Sequence, residues 1–182
     1  MPFRALLLFA ALSLPAAAAA QTLSPVVEGA LEFGGGEVAT LLFEDGDTQT
    51  LTAGQGGTLA GGVLVRPSAG SPLGLRATLG VKALFNASSN ASTRLVRFPV
   101  EAVASLRFGP GVEVGAGPTV HLGTRLSGDG FVQDVDFGTA VGATVEAGYK
   151  WAALTFTAIR YTAESGEEVD ASNVGASFRY AF

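Results

Sequence analysis

Strict alternation of apolar with small or polar residues is the feature that most limits what this chain can fold into. Between 73 and 85 every odd position is apolar, and the even positions hold mainly glycine, threonine, arginine and lysine. A two-residue period is that of a β-strand, whose side chains point alternately to opposite faces. The same pattern predicts eight strands, at about 25–33, 56–66, 73–85, 93–107, 111–122, 135–148, 150–161 and 172–182.

The length of these segments distinguishes between two classes of β-protein. Globular strands usually have about five or six residues, whereas a tilted strand that crosses a bilayer needs about 9–11. Most of the predicted strands have ten residues or more. No stretch after residue 20 has the roughly 18 uninterrupted apolar residues of a transmembrane helix. The pattern therefore favours an all-β, eight-stranded antiparallel up-and-down transmembrane β-barrel over a soluble β-domain.

The connections between the strands alternate in length. Short turns are expected at 66–72, 108–111 and 148–150, and long polar loops at about 44–55, 86–92, 123–134 and 162–171. With both termini on one side, all short turns fall there, as in outer-membrane barrels with short periplasmic turns. The run Gly34–Gly36 is either a bulge or the end of the first strand, so whether 37–43 extends that strand stays open.

The small-residue face of each strand is assigned to the barrel interior, because a narrow closed barrel has little room for side chains. This face carries a balanced set of charges, and buried charges must be paired. The balance predicts an ion-paired plug, with an open pore as the alternative. On the last strand, Arg179 should point inward toward Glu28 or Glu32. The predicted interior charges are Arg66, Arg76, Lys82, Arg97, Arg107 and Arg179, with Glu28, Glu32, Glu101, Glu113, Asp136 and Glu146.

Four residues conflict with this simple pattern. Lys150 and Arg160 share the apolar face of the seventh strand, which lipid tolerates only near the two interfaces. Pro99 and Pro118 each remove a backbone donor from the middle of a strand. We expect the two basic residues at the ends of the strand and local bulges at the prolines.

The N-terminus predicts export. Arg4 precedes an apolar run over 5–14, and Ala18-Ala19-Ala20 forms a small-residue cleavage site before Gln21. Residues 1–20 are therefore assigned to a cleaved signal peptide and 21–182 to the barrel domain. The absence of cysteine excludes disulfides and thiolate metal sites. The net charge of −5 argues against nucleic acid as a partner.

Candidate chemistry is sparse. His121 is the single histidine, and no recognised serine or aspartate partner accompanies it. The acidic runs at 44–47 and 164–170 are rich in carboxylates, which suit Ca²⁺ or Mg²⁺, but lack the spacing of a calcium-binding loop. Solvated outer loops are the preferred interpretation, and divalent-ion binding there stays an open alternative. We expect no catalytic, cofactor-binding or metal-binding residues, and no enzymatic activity.

The chain ends with Phe178-Arg179-Tyr180-Ala181-Phe182, an alternating strand with a terminal phenylalanine. Together with the predicted signal peptide and strands, residues 21–182 resemble the small Gram-negative outer-membrane barrels similar to the OmpA transmembrane domain and OmpX. The resemblance implies an outer-membrane location, contact with lipopolysaccharide, and recognition of the last strand by the assembly machinery. A monomer with a role in envelope structure or surface interaction through acidic extracellular loops is expected.

The resemblance also implies two alternatives. One is a small porin, and the less favoured one is a lipid-modifying barrel enzyme. The deacylases of that second group pair His with Ser in a His-x-Ser sequence, whereas Leu122 and Gly123 follow His121 here.

Overall fold

The computed structural model describes residues 21–42, 48–87, 92–128 and 134–182. The predicted signal peptide (1–20) and the acidic run at 44–47 lie outside these residues. The strands, in chain order, are β1 Thr22–Phe33, β2 Glu37–Leu42, β3 Thr48–Thr52, β4 Gly56–Arg66, β5 Leu73–Ala87, β6 Ser92–Phe108, β7 Val112–Gly128, β8 Val135–Asp136, β9 Ala140–Tyr149, β10 Ala152–Ala158, β11 Arg160–Thr162, β12 Glu168–Asp170 and β13 Asn173–Ala181. In the described part of the chain, no helix is long and apolar enough to cross a membrane.

Eight of these strands close into a barrel. Each pairs antiparallel with the next in the order β1, β4, β5, β6, β7, β9, β10 and β13, and β13 pairs back onto β1. Closure gives every barrel strand a partner on both sides, which satisfies backbone groups that lipid cannot. The predicted eight-stranded up-and-down barrel is confirmed.

The alternating residues divide between the two faces as the pattern predicts. Large apolar side chains such as Leu59 and Phe85 are 68 % and 71 % exposed on the outer face. Lys150 lies in the turn after β9 and Arg160 in β11 beyond the end of β10, so both basic residues occupy the ends of the segment. The outer face between these ends is the apolar surface that lipid requires.

Short hairpins continue the barrel beyond its outer end. Gly34 and Gly35 adopt φ of 124° and 88°, and a Cβ at Gly35 would meet the Gly54 backbone nitrogen at 2.5 Å. This close approach ends β1 at Phe33. The following strand β2 pairs with β3 as a separate hairpin, and β11 pairs with β12 in the same way. Segment 37–42 therefore forms a hairpin outside the ring and is not a further part of β1.

The fifth predicted strand is longer than the sequence pattern indicates. It ends at 122 by alternation, but β7 continues to Gly128. Gly123, with φ of 56°, lies where the β6–β7 register shifts between Val96 and Phe98. Before this bulge the odd residues of β7 face inward, as His121 does, and after it the even residues do so, as Thr124 does. The bulge explains why the alternation broke off.

The sixth predicted strand is divided into β8 and β9, and this corrects the assignment of one charge. Asp136 in β8 pairs with Arg125 of β7, and its side chain is 53 % exposed on the outside. The prediction that Asp136 points into the barrel was wrong. Between β8 and β9 the inward-facing residues change from the odd to the even positions, at the same height in the barrel as Gly123.

A bulge lies beside one of the two prolines. Pro99 pairs with His121 and closely follows the β6–β7 register shift between Val96 and Phe98. Pro118 pairs with Ala143 in unchanged register, so the bulge predicted there is absent. On the other side of each proline, the pairing is interrupted without a shift. Beside Pro99, the β5–β6 pairing is missing between the pairs Leu79–Val100 and Lys82–Arg97. Beside Pro118, the β6–β7 pairing is missing between the pairs Glu101–Thr119 and Ala104–Ala116. A proline has no N–H to donate, so the ladder is interrupted there.

Candidate functional site

The middle of the barrel interior is occupied by two arginines and two glutamates. Arg76 of β5 places Nη1 2.7 Å from Glu28 Oε2 and Nη2 2.5 Å from Glu146 Oε2. Arg179 contacts the same two carboxylates, with Nε 2.9 Å from Glu28 and Nη2 2.7 Å from Glu146. The predicted contact between Arg179 and Glu28 is therefore present. Because β5, β9 and the β1–β13 pair lie around the ring, these contacts cross the lumen.

Closer to the outer end, two further cations point inward. Lys82 and Arg97 lie directly opposite each other on β5 and β6. Lys82 Nζ lies 3.0 Å from Glu32 Oε1, and Arg97 donates from Nη2 to the carbonyl oxygen of Gln55 at 2.6 Å. The guanidinium of Arg97 also lies 5.9 Å from the ring centre of Tyr161. Directly opposed like charges are unfavourable, and these separate partners reduce that cost.

At the opposite end of the barrel, Arg66 and Arg107 share one carboxylate. Arg66 Nη2 lies 2.8 Å from Glu113 Oε2, and Arg107 Nη2 lies 3.6 Å from the same oxygen. Arg66 is buried, whereas the side chain of Arg107 is half exposed at the barrel end. Charged contacts are thus distributed along the full length of the interior.

An apolar cluster lies above Arg97, at the outer end of the barrel. It consists of Ala53, Ala140, Ile159, Tyr161 and Ala171, with Val38, Phe137 and Val169 packed against it. We call this cluster the outer cap. Beneath it remains an interior cavity of about 30 Å³, lined in part by Lys82, Glu101 and His121. A cavity of this size holds only one or two water molecules.

His121 lies beneath the outer cap and is only 3 % exposed. Its Nδ1 lies 2.6 Å from the hydroxyl of Tyr161, a residue of β11. The imidazole faces the interior, away from the outer surface of the barrel. Sequence reasoning did not identify Tyr161 as its partner, because Tyr161 lies 40 residues away on β11, beyond the end of β10, and β7 does not pair with β11.

The acidic run at 164–170 forms the turn of the β11–β12 hairpin and the strand β12. Glu168 Oε2 lies 3.1 Å from Arg160 Nη1 across the hairpin. Asp170 accepts hydrogen bonds from the hydroxyl and the backbone N–H of Ser172, and these bonds lower the pKa of its carboxyl. Within the described ranges, no group of three or more His, Asp or Glu side chains is placed to hold a metal ion.

Comparisons with known proteins place this geometry in context. The sequence model of the family described as "Outer membrane protein beta-barrel domain" matches residues 5–182. No curated protein is significantly similar to the chain. Among solved structures, Ail, the attachment invasion locus protein of Yersinia pestis, matches with 11 % identity and a TM-score of 0.44, covering 88 % of this chain and 98 % of that one. Ail in complex with the heparin analogue sucrose octasulfate matches with 12 % identity, a TM-score of 0.45 and the same coverage.

Proposed function

Since the chain belongs to the outer membrane protein beta-barrel domain family, we propose that it is a non-enzymatic, plugged barrel that acts in envelope structure or surface interaction. Surface interaction would take place through the acidic hairpins and loops at the outer end. The family membership supports the outer membrane as its location. The finer role rests on how the interior and the outer end are built.

The filling of the lumen is the observation that carries this proposal. The contacts of Arg76 and Arg179 with Glu28 and Glu146 cross the middle of the barrel, and the outer cap covers the end. A permeating ion would have to separate buried charge pairs, and removing one partner of such a pair costs about 3–5 kcal/mol. This supports a plug and argues against the small-porin alternative.

The surroundings of His121 support a non-enzymatic role. A lipid-modifying enzyme needs its general base at a surface that lipid can reach, with a nucleophile or water beside it. His121 is instead buried under the outer cap, and its ring nitrogen contacts a tyrosine hydroxyl. The burial of His121 and its tyrosine partner do not suit acyl transfer.

The proposal includes the route by which the protein reaches the membrane and its partners there. Residues 1–20 would be removed as a signal peptide, and the assembly machinery would recognise the last strand, ending at Phe182. The barrel would then stand as a monomer in contact with lipopolysaccharide. The exposed apolar outer face, including Phe178 and Tyr180 on the last strand, supports this lipid contact.

Cell fractionation combined with bilayer recordings tests this proposal. We expect the protein in the outer-membrane fraction, with faster gel migration before heating than after, as a closed barrel predicts. Purified protein in a planar bilayer should give no steady conductance from −100 to +100 mV. Recovery in the soluble periplasmic fraction would contradict the proposed envelope role, and discrete channel openings would contradict the plug.

A further inference from the structure

A cleft of about 220 Å³ lies at the outer end of the molecule, between β2, β8 and the β11–β12 hairpin. On the neighbouring barrel strands, Leu122 of β7 and Phe156 of β10 are the last large apolar residues of the outer face toward this end. The cleft is built from the segments that follow these positions, beyond the membrane-spanning part of the ring. It therefore opens toward water and is accessible to a partner from outside.

The floor of this cleft is apolar and its rim is acidic. Glu37, Glu167 and Glu168 supply the rim, and none of the described residues that line the cleft is a lysine, arginine or histidine. Glu168 is paired with Arg160, whereas no described residue forms an ion pair with Glu37 or Glu167. The rim therefore keeps an excess of negative charge. The apolar floor is formed by Val38, Leu126, Val135, Phe137 and Val169, together with Ala163.

Backbone hydrogen bonds hold the walls of the cleft in place. Phe137 N–H donates to the Thr124 carbonyl at 2.9 Å, and Gly138 N–H donates to the Thr162 carbonyl at 3.0 Å. Ala163 N–H donates to the Glu167 carbonyl at 2.8 Å, which fixes the turn that carries the rim. The Phe137 ring also packs against Tyr161, with 5.7 Å between the ring centres. Because the walls are already ordered before a ligand arrives, binding to this cleft costs less conformational entropy.

The size and chemistry of the cleft indicate what can occupy it. Small-molecule sites usually have volumes of about 300–1,000 Å³, so this cleft is sized for a single side chain. Lysine and arginine carry an apolar stem and a charged head, and they bury the stem while the head stays in a polar surrounding. Glu37 accepts a hydrogen bond from the Thr40 hydroxyl, but neither it nor Glu167 has a cationic partner among the described residues. An apolar floor under these two carboxylates matches both parts. The net charge of −5 also favours the approach of cationic partners.

We propose that this cleft docks a lysine or arginine side chain of a basic polypeptide. The stem lies on the apolar floor and the cationic head lies between Glu37 and Glu167. The proposal rests on the proposed function, since it gives the acidic outer surface a partner of defined chemistry.

Fluorescence anisotropy of the folded protein in phosphatidylcholine nanodiscs tests this docking. The probe is a fluorescein-labelled peptide of alternating lysine and serine. Its comparison peptide has 2,4-diaminobutyrate in place of each lysine, which keeps protonated amino groups and shortens the apolar stem by two methylenes. We expect weaker binding of the comparison peptide. The double variant Glu37→Gln/Glu167→Gln should bind the lysine peptide about five- to tenfold more weakly, as expected for two partly exposed charge contacts.

Two further variants separate specific docking from general attraction. Glu164→Gln removes a carboxylate from the same turn but outside the cleft, and it should bind like the unmodified protein. Val169→Thr makes the floor polar at nearly constant volume, and it should weaken the lysine peptide more than the comparison peptide. Equal losses for Glu164→Gln and the double variant, equal binding of the two peptides, or no binding to the folded barrel would each overturn the proposal. Gel migration of the same samples reports separately whether the barrel itself has formed.

Discussion

At the scale of single residues, Glu146 is the acceptor on which the middle of the lumen depends. Its side chain receives hydrogen bonds from Arg76 and Arg179, and within the described residues Glu28 is the other carboxylate that both arginines contact. Removing a partner from a buried network leaves charge uncompensated where water cannot replace it. Exposed pairs such as Arg160 with Glu168 lack this consequence, because solvent screens them.

We predict that Glu146→Gln lowers the free energy of unfolding by about 3–5 kcal/mol, since it leaves Glu28 as the one carboxylate that both guanidinium groups share, with Glu101 4.0 Å from Arg76 alone. Urea unfolding in lipid vesicles, followed by the gel shift of the folded barrel, measures the change. Glu168→Gln is the matched control, and it should change the free energy by less than about 1 kcal/mol. Comparable losses in the two variants would mean that the interior contacts contribute no more than exposed ones.

At the scale of the strands, the spacing between neighbours requires glycine at particular positions. Gly61 and Gly62 are adjacent in β4 and differ in their surroundings. A Cβ at Gly61 would have its nearest atom, the Val26 carbonyl oxygen, at 3.9 Å, whereas one at Gly62 would collide with the Ala77 carbonyl oxygen and approach Thr78 Cα to 2.8 Å. Backbone atoms of a paired strand cannot move aside separately, so the β4–β5 pairing itself would have to open.

Gly62→Ala should therefore destabilise the barrel by about 1–3 kcal/mol, the usual cost of overpacking. Gly61→Ala adds the same methyl group on the outer face and should leave the unfolding midpoint nearly unchanged. Unfolding of the two variants in the same vesicles makes the comparison. The crowding argument fails if the two substitutions have the same effect.

At the scale of the whole molecule, the last strand both closes the ring and presents aromatic rings to lipid. Phe182 N–H donates to the Pro25 carbonyl at 3.0 Å, and its ring meets Tyr180 edge to face with 4.9 Å between the ring centres. These contacts lie at the end of the strand, where a single loss affects little of the barrel. The larger role proposed for Phe182 is recognition during assembly.

Deletion of Phe182 should reduce the amount of folded, heat-modifiable barrel in cells several-fold, while the purified chain still refolds in detergent. Phe156→Ala is the control, because Phe156 is also an outward aromatic but lies within β10. Quantitative gels of unheated membrane fractions measure both variants. Equal yields would show that the terminal residue has no special part in assembly.

The two-residue period was enough to predict the barrel, its inner and outer faces, and the contact between Arg179 and Glu28. These features are local to a strand or follow from closure, since β13 must pair with β1 and Glu28 lies opposite Arg179. The charge pattern also indicated which acidic and basic residues face the lumen, with Asp136 as the exception. Its outward position depends on the reversal between β8 and β9, which the alternation of residues over 135–148 does not indicate.

Only the tertiary structure decided which residues meet across the lumen. Glu146 reaches Arg76, His121 reaches Tyr161, and the outer cap combines residues from five separate segments. Glu146 and Arg76, like His121 and Tyr161, are far apart in the sequence and lie on strands that do not pair. Periodicity reports which face a side chain occupies, but the tilt and stagger of the closed ring set its height and direction in the lumen. The chain's sequence therefore determined the faces of the barrel, and the geometry of closure determined the contacts inside it.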